Sequence, residues 1–306
     1  MRIAIIGQQD FGKGVLEAFL KRGDQVAAVF CAPEKEGARP DVLRVAAQQA
    51  GLTVHQFKSL RAPEAVDAMK AANADIGIMA FVLQFAPQDF VSIPKHGTIQ
   101  YHPSLLPKYR GPSSINWPIS RGEAETGLTI FRPTDGLDEG AVILQKKTTV
   151  GENDTLGSVY FDRLFPLGIE AMVEAADLVV AGKHQEVVQD ESQASYEGWF
   201  REAEAKIHWA NHVDTIHNTI RGADPAPGAW TTYNGQKLQL FDSRKELTRT
   251  FGAVKGKVGE VVEAANGKLV ISAQGGRIHA SKAKLGDGKK VAADTAGVPV
   301  GALLGN

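Results

Sequence analysis

Short runs of consecutive apolar residues alternate with longer stretches whose apolar positions fall three or four apart through the first half of the chain. Residues 2–6 are apolar on both faces and predict a buried strand. A turn over residues 7–12 leads into a helix over 12–22, apolar at Val15, Phe19 and Leu20 and stopped by Gly23. The alternation repeats as strand 26–31, helix 41–50, strand 52–55, helix 63–72 and strand 75–80. An irregular, Pro-containing stretch precedes a strand over 97–101. Strands over 127–132 and 141–150 follow, joined by a loop rich in turn residues. Strands alternating with helices predict right-handed crossovers around a mostly parallel sheet, a Rossmann-like α/β layer. Residues 154–181 predict one long helix, capped by Asn153 or Asp154 and stopped by Gly182, which Pro166 should kink or divide.

The pattern changes near residue 200. One more helix is expected over 207–221, then a linker over 222–228. Beyond it the apolar spacing drops to two. Asn234-Gly235 and Asn266-Gly267 sit between alternating runs, and Gly275-Gly276 marks a further turn. Asn-Gly between such runs signals a hairpin turn, so a small all-β barrel is predicted. The chain therefore reads as two domains, 1–203 and 204–306, the second a linker helix plus a β-barrel. No internal repeat or low-complexity tract interrupts them.

Composition narrows the function classes. The 306 residues carry 34 basic and 35 acidic side chains, a net charge of −1, which excludes bulk nucleic-acid or polycation binding. The mild basicity lies in 204–306, notably at Lys282, Lys284, Lys289 and Lys290. One cysteine, Cys31, excludes an intramolecular disulfide and a thiolate zinc cage, and points to a reducing, cytoplasmic setting. No apolar stretch approaches the ~18 residues of a membrane span. The opening apolar run is too short for a signal peptide.

Candidate chemistry concentrates in two loops. The turn from Gly7 to Gly12 lacks the middle glycine of a dinucleotide fingerprint, since Gln9 stands there, and reads as a plain strand-to-helix joint. His208, His212 and His217 have no intervening Glu or nearby Cys and read as helix-surface histidines rather than metal ligands. His102 is different. It follows a strand at its carboxyl end, where open α/β sheets place ligands. Behind it runs a stiff loop with Pro103 and Pro107, and Gly111-Pro112 is expected to start a helix. Such a His serves either as a general base or as a turn cap. Asp135 and Asp138 lie on the other loop, as partners for that imidazole or as ordinary turn aspartates.

Tyr101-His102-Pro103-Ser104-Leu105-Leu106-Pro107 with Arg110-Gly111, followed by Gly136-Leu137-Asp138-Glu139-Gly140, resembles the 10-formyltetrahydrofolate-dependent formyltransferase family. The family includes methionyl-tRNA, glycinamide ribonucleotide and amino-sugar formyltransferases. The likeness is greatest to the amino-terminal hydrolase/formyltransferase domain of 10-formyltetrahydrofolate dehydrogenase. It continues through Leu164-Phe165-Pro166, Tyr196-Glu197-Gly198, Ala205-Lys206-Ile207, Ile216-His217-Asn218 and Pro227-Gly228-Ala229-Trp230.

The resemblance implies a folate-binding catalytic domain over 1–203 and an oligonucleotide-binding-like barrel after it. It implies that His102 is the catalytic histidine and Asp138 the essential aspartate. Gln84, Phe85 and Ala86 match the segment lining the pterin and formyl site, and the loop with Asp135, Gly136, Leu137 and Asp138 closes its other side. Phe81, Leu83, Phe85 and Leu105 would sandwich the pterin. Gln100 stands where many transferases of the family have Asn, and is the candidate oxyanion donor. The implied substrate is 10-formyltetrahydrofolate, leaving tetrahydrofolate, with no metal and no NAD. The expected reaction is formyl transfer to an amine, either methionyl-tRNA or a small amine or amino-sugar. The alternative is hydrolysis to formate. The basic barrel would serve a tRNA acceptor, and the protein would be a monomer or homodimer. Read as it stands to Asn306, the sequence lacks the dehydrogenase's carrier and aldehyde-dehydrogenase parts, so oxidation of the formyl group is not expected of it.

Overall fold

A computed structural model describes residues 1–248 and 255–305. The first part of the chain builds β1 (Arg2–Gly7), α1 (Gln9–Arg22), β2 (Gln25–Cys31), α2 (Val42–Gln49), β3 (Val54–Gln56), α3 (Pro63–Ala72) and β4 (Ile76–Ala80). It continues through α4 (Gln88–Val91), β5 (Thr98–His102), α5 (Asn116–Ser120), β6 (Glu125–Phe131) and β7 (Val142–Thr149). The seven strands form one sheet in the order β3-β2-β1-β4-β5-β6-β7. Pairing is parallel from β3 to β5 and turns antiparallel at β5/β6. The order reverses beside β1, so chain ends from both halves of the sheet open on the same carboxyl edge.

Packing explains the boundaries. α1 begins three residues before the expected start because its apolar stripe reaches back to Phe11, which stacks on Tyr101 of β5 with ring centroids 4.2 Å apart. Gly7 has to be glycine, since a Cβ there would lie 2.1 Å from the Ala80 carbonyl oxygen. On the opposite face Ile6, Phe30, Leu60, Met69, Met79 and Phe90 form a buried cluster. Turn residues 113–115 separate Pro112 from α5, so the helix expected at Pro112 starts later. There the Ser113 hydroxyl is committed to the Phe200 amide at 2.9 Å.

The predicted long helix is three pieces. α6 (Leu156–Val159) is capped by Thr155, not by Asn153 or Asp154, because Thr155 and Ser158 exchange side-chain and backbone hydrogen bonds. A π-helical turn, Tyr160–Leu164, follows, and α7 (Phe165–Val180) restarts with Pro166 in its first turn, where no amide hydrogen is needed.

The remaining elements are α8 (Val213–Gly222), β8 (Ala229–Tyr233), β9 (Gln236–Leu247), β10 (Val261–Ala265), β11 (Lys268–Ala273), β12 (Gly276–Leu285) and β13 (Val291–Ala292). The strands make one antiparallel sheet in the order β10-β11-β12-β9-β8, with β13 on β12. Residues 301–305 reach both of its ends: the Val261 amide of β10 bonds to the Ala302 carbonyl, and the Gly305 amide to the Thr232 carbonyl of β8. Both Asn-Gly pairs adopt left-handed backbone at both positions, the requirement of a type I′ turn. The helix expected over 207–221 is shorter, because the Ile207 amide bonds to the Trp230 carbonyl and the Trp230 amide to the Ala205 carbonyl. His212 caps α8, and His217 is fully buried rather than on the helix surface. Its Nδ1 meets Ser243 Oγ at 2.9 Å and its Nε2 the Glu152 carbonyl at 3.1 Å.

Two compact units result. One is Met1–Gly111, Gly127–Lys147 and Arg163–Tyr196; the other is Pro112–Thr126, Thr148–Asp162 and Glu197–Asn306. No helix among the described residues is long and apolar enough to cross a membrane.

Candidate active site

The site lies in the first unit, where β5 ends. Along a strand, successive side chains alternate in face, so Tyr101 points one way and Gln100 and His102 the other. Tyr101 is fixed by its stack on Phe11 and by the close approach of α7 at Gly168, where a Cβ would lie 2.7 Å from the Tyr101 ring. That contact anchors β5 from behind and presents Gln100 and His102 on the opposite face.

His102 is buried, with 6% of its surface exposed. Its Nε2 lies 2.9 Å from the Tyr109 carbonyl. A carbonyl only accepts, so Nε2 carries the hydrogen and the lone pair of the neutral ring is on Nδ1. Nδ1 faces Asp138 Oδ2 at 3.6 Å. The same Oδ2 accepts the Gly111 amide at 2.9 Å. Asp138 is itself buried and holds a left-handed backbone, φ +56°.

The loop behind His102 is pinned at each step. Thr129 of β6 lies opposite His102, accepts the Leu106 amide and donates to the Ser104 carbonyl. Gln145 donates to the Leu106 carbonyl at 2.7 Å and to Thr129 Oγ1 at 2.9 Å. The Leu106–Pro107 bond is cis. Ser195 takes the Tyr109 amide on its hydroxyl and the Arg110 amide on its carbonyl.

Arg110 then turns inward. Its guanidinium donates to Gln189 Oε1 from Nη2 at 2.8 Å and from Nε at 3.2 Å, and to both carboxylate oxygens of Glu191. That hydrogen-bonded pairing raises the Arg110 pKa and lowers that of Glu191. Gln189 donates in turn to the carbonyls of Asp138 and Gly140, each at 2.8 Å. Thr129, Gln145, Gln189 and Ser195 carry no local sequence signal, because each acts from a distant segment.

The other expected residues fall on two joined loops. Gln84 donates its amide to the Phe57 carbonyl at 2.7 Å, so that group is spent on holding its own loop. Phe85 is exposed beneath the Arg61 guanidinium, 4.5 Å from the ring centroid, and Ala86 is buried. Gln88, which the sequence did not single out, ties this loop to its neighbour. Its side chain donates to the Pro133 carbonyl and its amide to Asp135 Oδ1. Gly136 lies on that second loop, its carbonyl accepting from Thr134. Phe81, Leu83, Phe85 and Leu137 are all large apolar side chains left at least 40% exposed. Leu105 is half-buried and packs over Gly127 instead. Gln100 is half-buried between Met79 and Phe131 in register, and its amide has no protein partner among the described residues.

Chemically, this is an imidazole whose neutral form has one nitrogen held as donor and the other turned to accept, beside a carboxylate able to stabilise the imidazolium. It can move one proton and hold the charge. Among the described residues no three His, Cys, Asp or Glu side chains gather as metal ligands.

The "Formyl transferase" family model matches residues 1–176, and the "Formyl transferase, C-terminal domain" model matches 200–297. The chain is 38% identical over 305 residues to the cytosolic 10-formyltetrahydrofolate dehydrogenase of Xenopus laevis, covering 96% of this chain and 34% of that protein. It thus spans about a third of the length of that relative. It is 32% identical over 295 residues to a methionyl-tRNA formyltransferase of Geotalea uraniireducens (strain Rf4), covering 95% of this chain and 92% of the other. A solved structure of the sugar 3N-formyltransferase WlaRD, with dTDP and 5-N-formyl-THF, shares the fold with a TM-score of 0.68 at 20% identity, covering 92% of this chain and 97% of that one.

Proposed function

The chain belongs to the formyltransferase family, and on that premise we propose that it moves the formyl group of 10-formyltetrahydrofolate to an amine acceptor. The observation that carries the reading is the meeting of His102 Nδ1 and Asp138 Oδ2 at 3.6 Å, with Nε2 held on the Tyr109 carbonyl.

The acceptor nitrogen attacks the formyl carbon, and the carbonyl oxygen becomes an oxyanion. His102 Nδ1 takes the proton that the nitrogen sheds, and Asp138 stabilises the imidazolium. The same proton then goes to N10 of the folate as the N10–carbon bond breaks. The uncommitted Gln100 amide is the side-chain donor for the oxyanion. Phe81, Leu83, Phe85 and Leu137 offer apolar surface for the pterin, which accounts for four large apolar side chains left exposed on two linked loops. These residues fit a flat heteroaromatic donor. Nothing in the reaction as written requires a metal or a nicotinamide.

Methionyl-tRNA or an amino-sugar is the acceptor class that the relatives' names favour. Water at the same position would make the protein a 10-formyltetrahydrofolate hydrolase, and the likeness to the dehydrogenase over nearly the whole chain keeps that second reading in view. A donor assay decides. The protein is given 10-formyltetrahydrofolate alone, with methionyl-tRNA, and with a panel of amino-sugar nucleotides. Transfer to one amine, faster than formate release, is expected. Rapid formate release with no acceptor present would replace transfer by hydrolysis. If tRNA is the acceptor, its affinity should fall steeply with salt.

A further inference from the structure

We propose that Gln189 is a positioning residue for the reaction. It holds the Asp138 turn against His102 while acting on no substrate atom itself. The inference rests on the reading of His102 and Asp138 given above.

Four hydrogen bonds leave no polar position of the Gln189 side chain unused. Its two amide hydrogens go to the Asp138 and Gly140 carbonyls, and its oxygen takes two donors of Arg110. The side chain is 6% exposed, so each of these bonds is made away from bulk water. Asp138, whose own carbonyl is one of the two held, is in a left-handed conformation. A non-glycine residue keeps that backbone only where its surroundings over-determine it. Gln189 supplies that restraint from the main-chain side, as the Gly111 amide does from the carboxylate side.

The contacts close into a ring. His102 bonds to Tyr109, the next residue Arg110 bonds to Gln189, Gln189 bonds to Asp138, and Asp138 returns to His102. The imidazole and the carboxylate are thereby referred to one frame, although they lie on different loops. Gln189 is delivered to that frame by its neighbour Val187, whose amide and carbonyl pair with Val142 at 2.9 and 2.8 Å at the start of β7. A glutamate could keep the Arg110 contact but has no hydrogen to give either carbonyl. That difference separates positioning from simple support of Arg110.

The test compares Gln189→Glu and the neutral isostere Gln189→Met with the wild type, folding being followed by thermal midpoint. Both are expected to lower kcat up to about 100-fold, the cost of roughly 1 Å of misplacement. The KM for 10-formyltetrahydrofolate should stay within about twofold, because the interaction lost is one realised in the transition state. Without any substrate, the imidazole 15N resonances of His102 should move in both variants as the carboxylate shifts. A folded Gln189→Glu protein with wild-type kcat and unmoved His102 resonances would overturn the proposal. His102→Ala is assayed alongside. Retained turnover there would overturn the catalytic reading, while the resonances would still decide the role of Gln189.

Discussion

His102 Nδ1 and Asp138 Oδ2 stand 3.6 Å apart across 36 residues of chain. The gap is wider than a hydrogen bond, and Oδ2 already accepts the Gly111 amide. The carboxylate is therefore held in place whether or not the imidazole is protonated. His102→Ala should lower turnover by about 100- to 10,000-fold with the fold intact, the usual worth of a positioned base. Asp138→Asn keeps an oxygen for Gly111 but removes the charge, and should also cut kcat. Unchanged formyl transfer by the folded His102→Ala protein would remove His102 from the chemistry.

Gln100 offers an amide with no protein partner on the same strand face as His102. Gln100→Ala should lower kcat by about 100- to 1,000-fold, the cost of losing one oxyanion donor. Stability in urea should hardly change, because no internal hydrogen bond is lost. An unaltered kcat would assign the oxyanion to other donors.

Gly168 allows α7 to close on β5. A Cβ there would lie 2.7 Å from the Tyr101 ring and 2.9 Å from the Phe11 ring. Both rings are buried and stacked on each other. Gly168→Ala should destabilise the protein by about 1–3 kcal/mol, the range for overpacking a core. A denaturation midpoint equal to wild type would show that the stack can shift.

His217 sets an acid limit. Burial pushes its pKa down to about 4, outweighing the opposing bond to the Glu152 carbonyl, and nearby Arg221, Lys245 and Arg244 add to the depression. The unfolded chain takes up this proton near the ordinary value of 6.5, before the folded one does. The contribution is therefore complete above about pH 6.5 and is lost as the pH falls towards about 4, to a total on the order of 3 kcal/mol. A His217→Gln variant should show a flatter stability profile across that window. Equal pH slopes for the two proteins in urea melts would exclude His217 as the source.

Local signals carried much of the fold. The sequence pattern revealed β1, β2, α3 and β4 to within a residue or two, because each has its own apolar period and its own stop signal. It misplaced what long-range contacts decide. α1 starts early on account of Tyr101, and α8 starts late, at Val213, because β8 takes the backbone of Ala205 and Ile207. His217 looked like a surface residue because its partners, Ser243 and Glu152, lie 26 and 65 residues away. The site divides in the same way. His102 and Asp138 stand in compact motifs, each on a loop with its own turn chemistry. Gln189 has no motif around it and becomes visible only when Arg110 and the Asp138 carbonyl are seen to meet on it.

Three separate stretches, 112–126, 148–162 and 197–306, build the second unit. Ser113 serves the Phe200 amide, Trp117 donates to the Gly198 carbonyl, and Glu152 receives His217. Scission of one peptide bond near residue 196 would carry Ser113, Trp117 and Glu152 off with the wrong fragment. A chimera that exchanges the carboxy-terminal half for that of a relative must transplant both inserted stretches as well, or their partners will face a foreign surface.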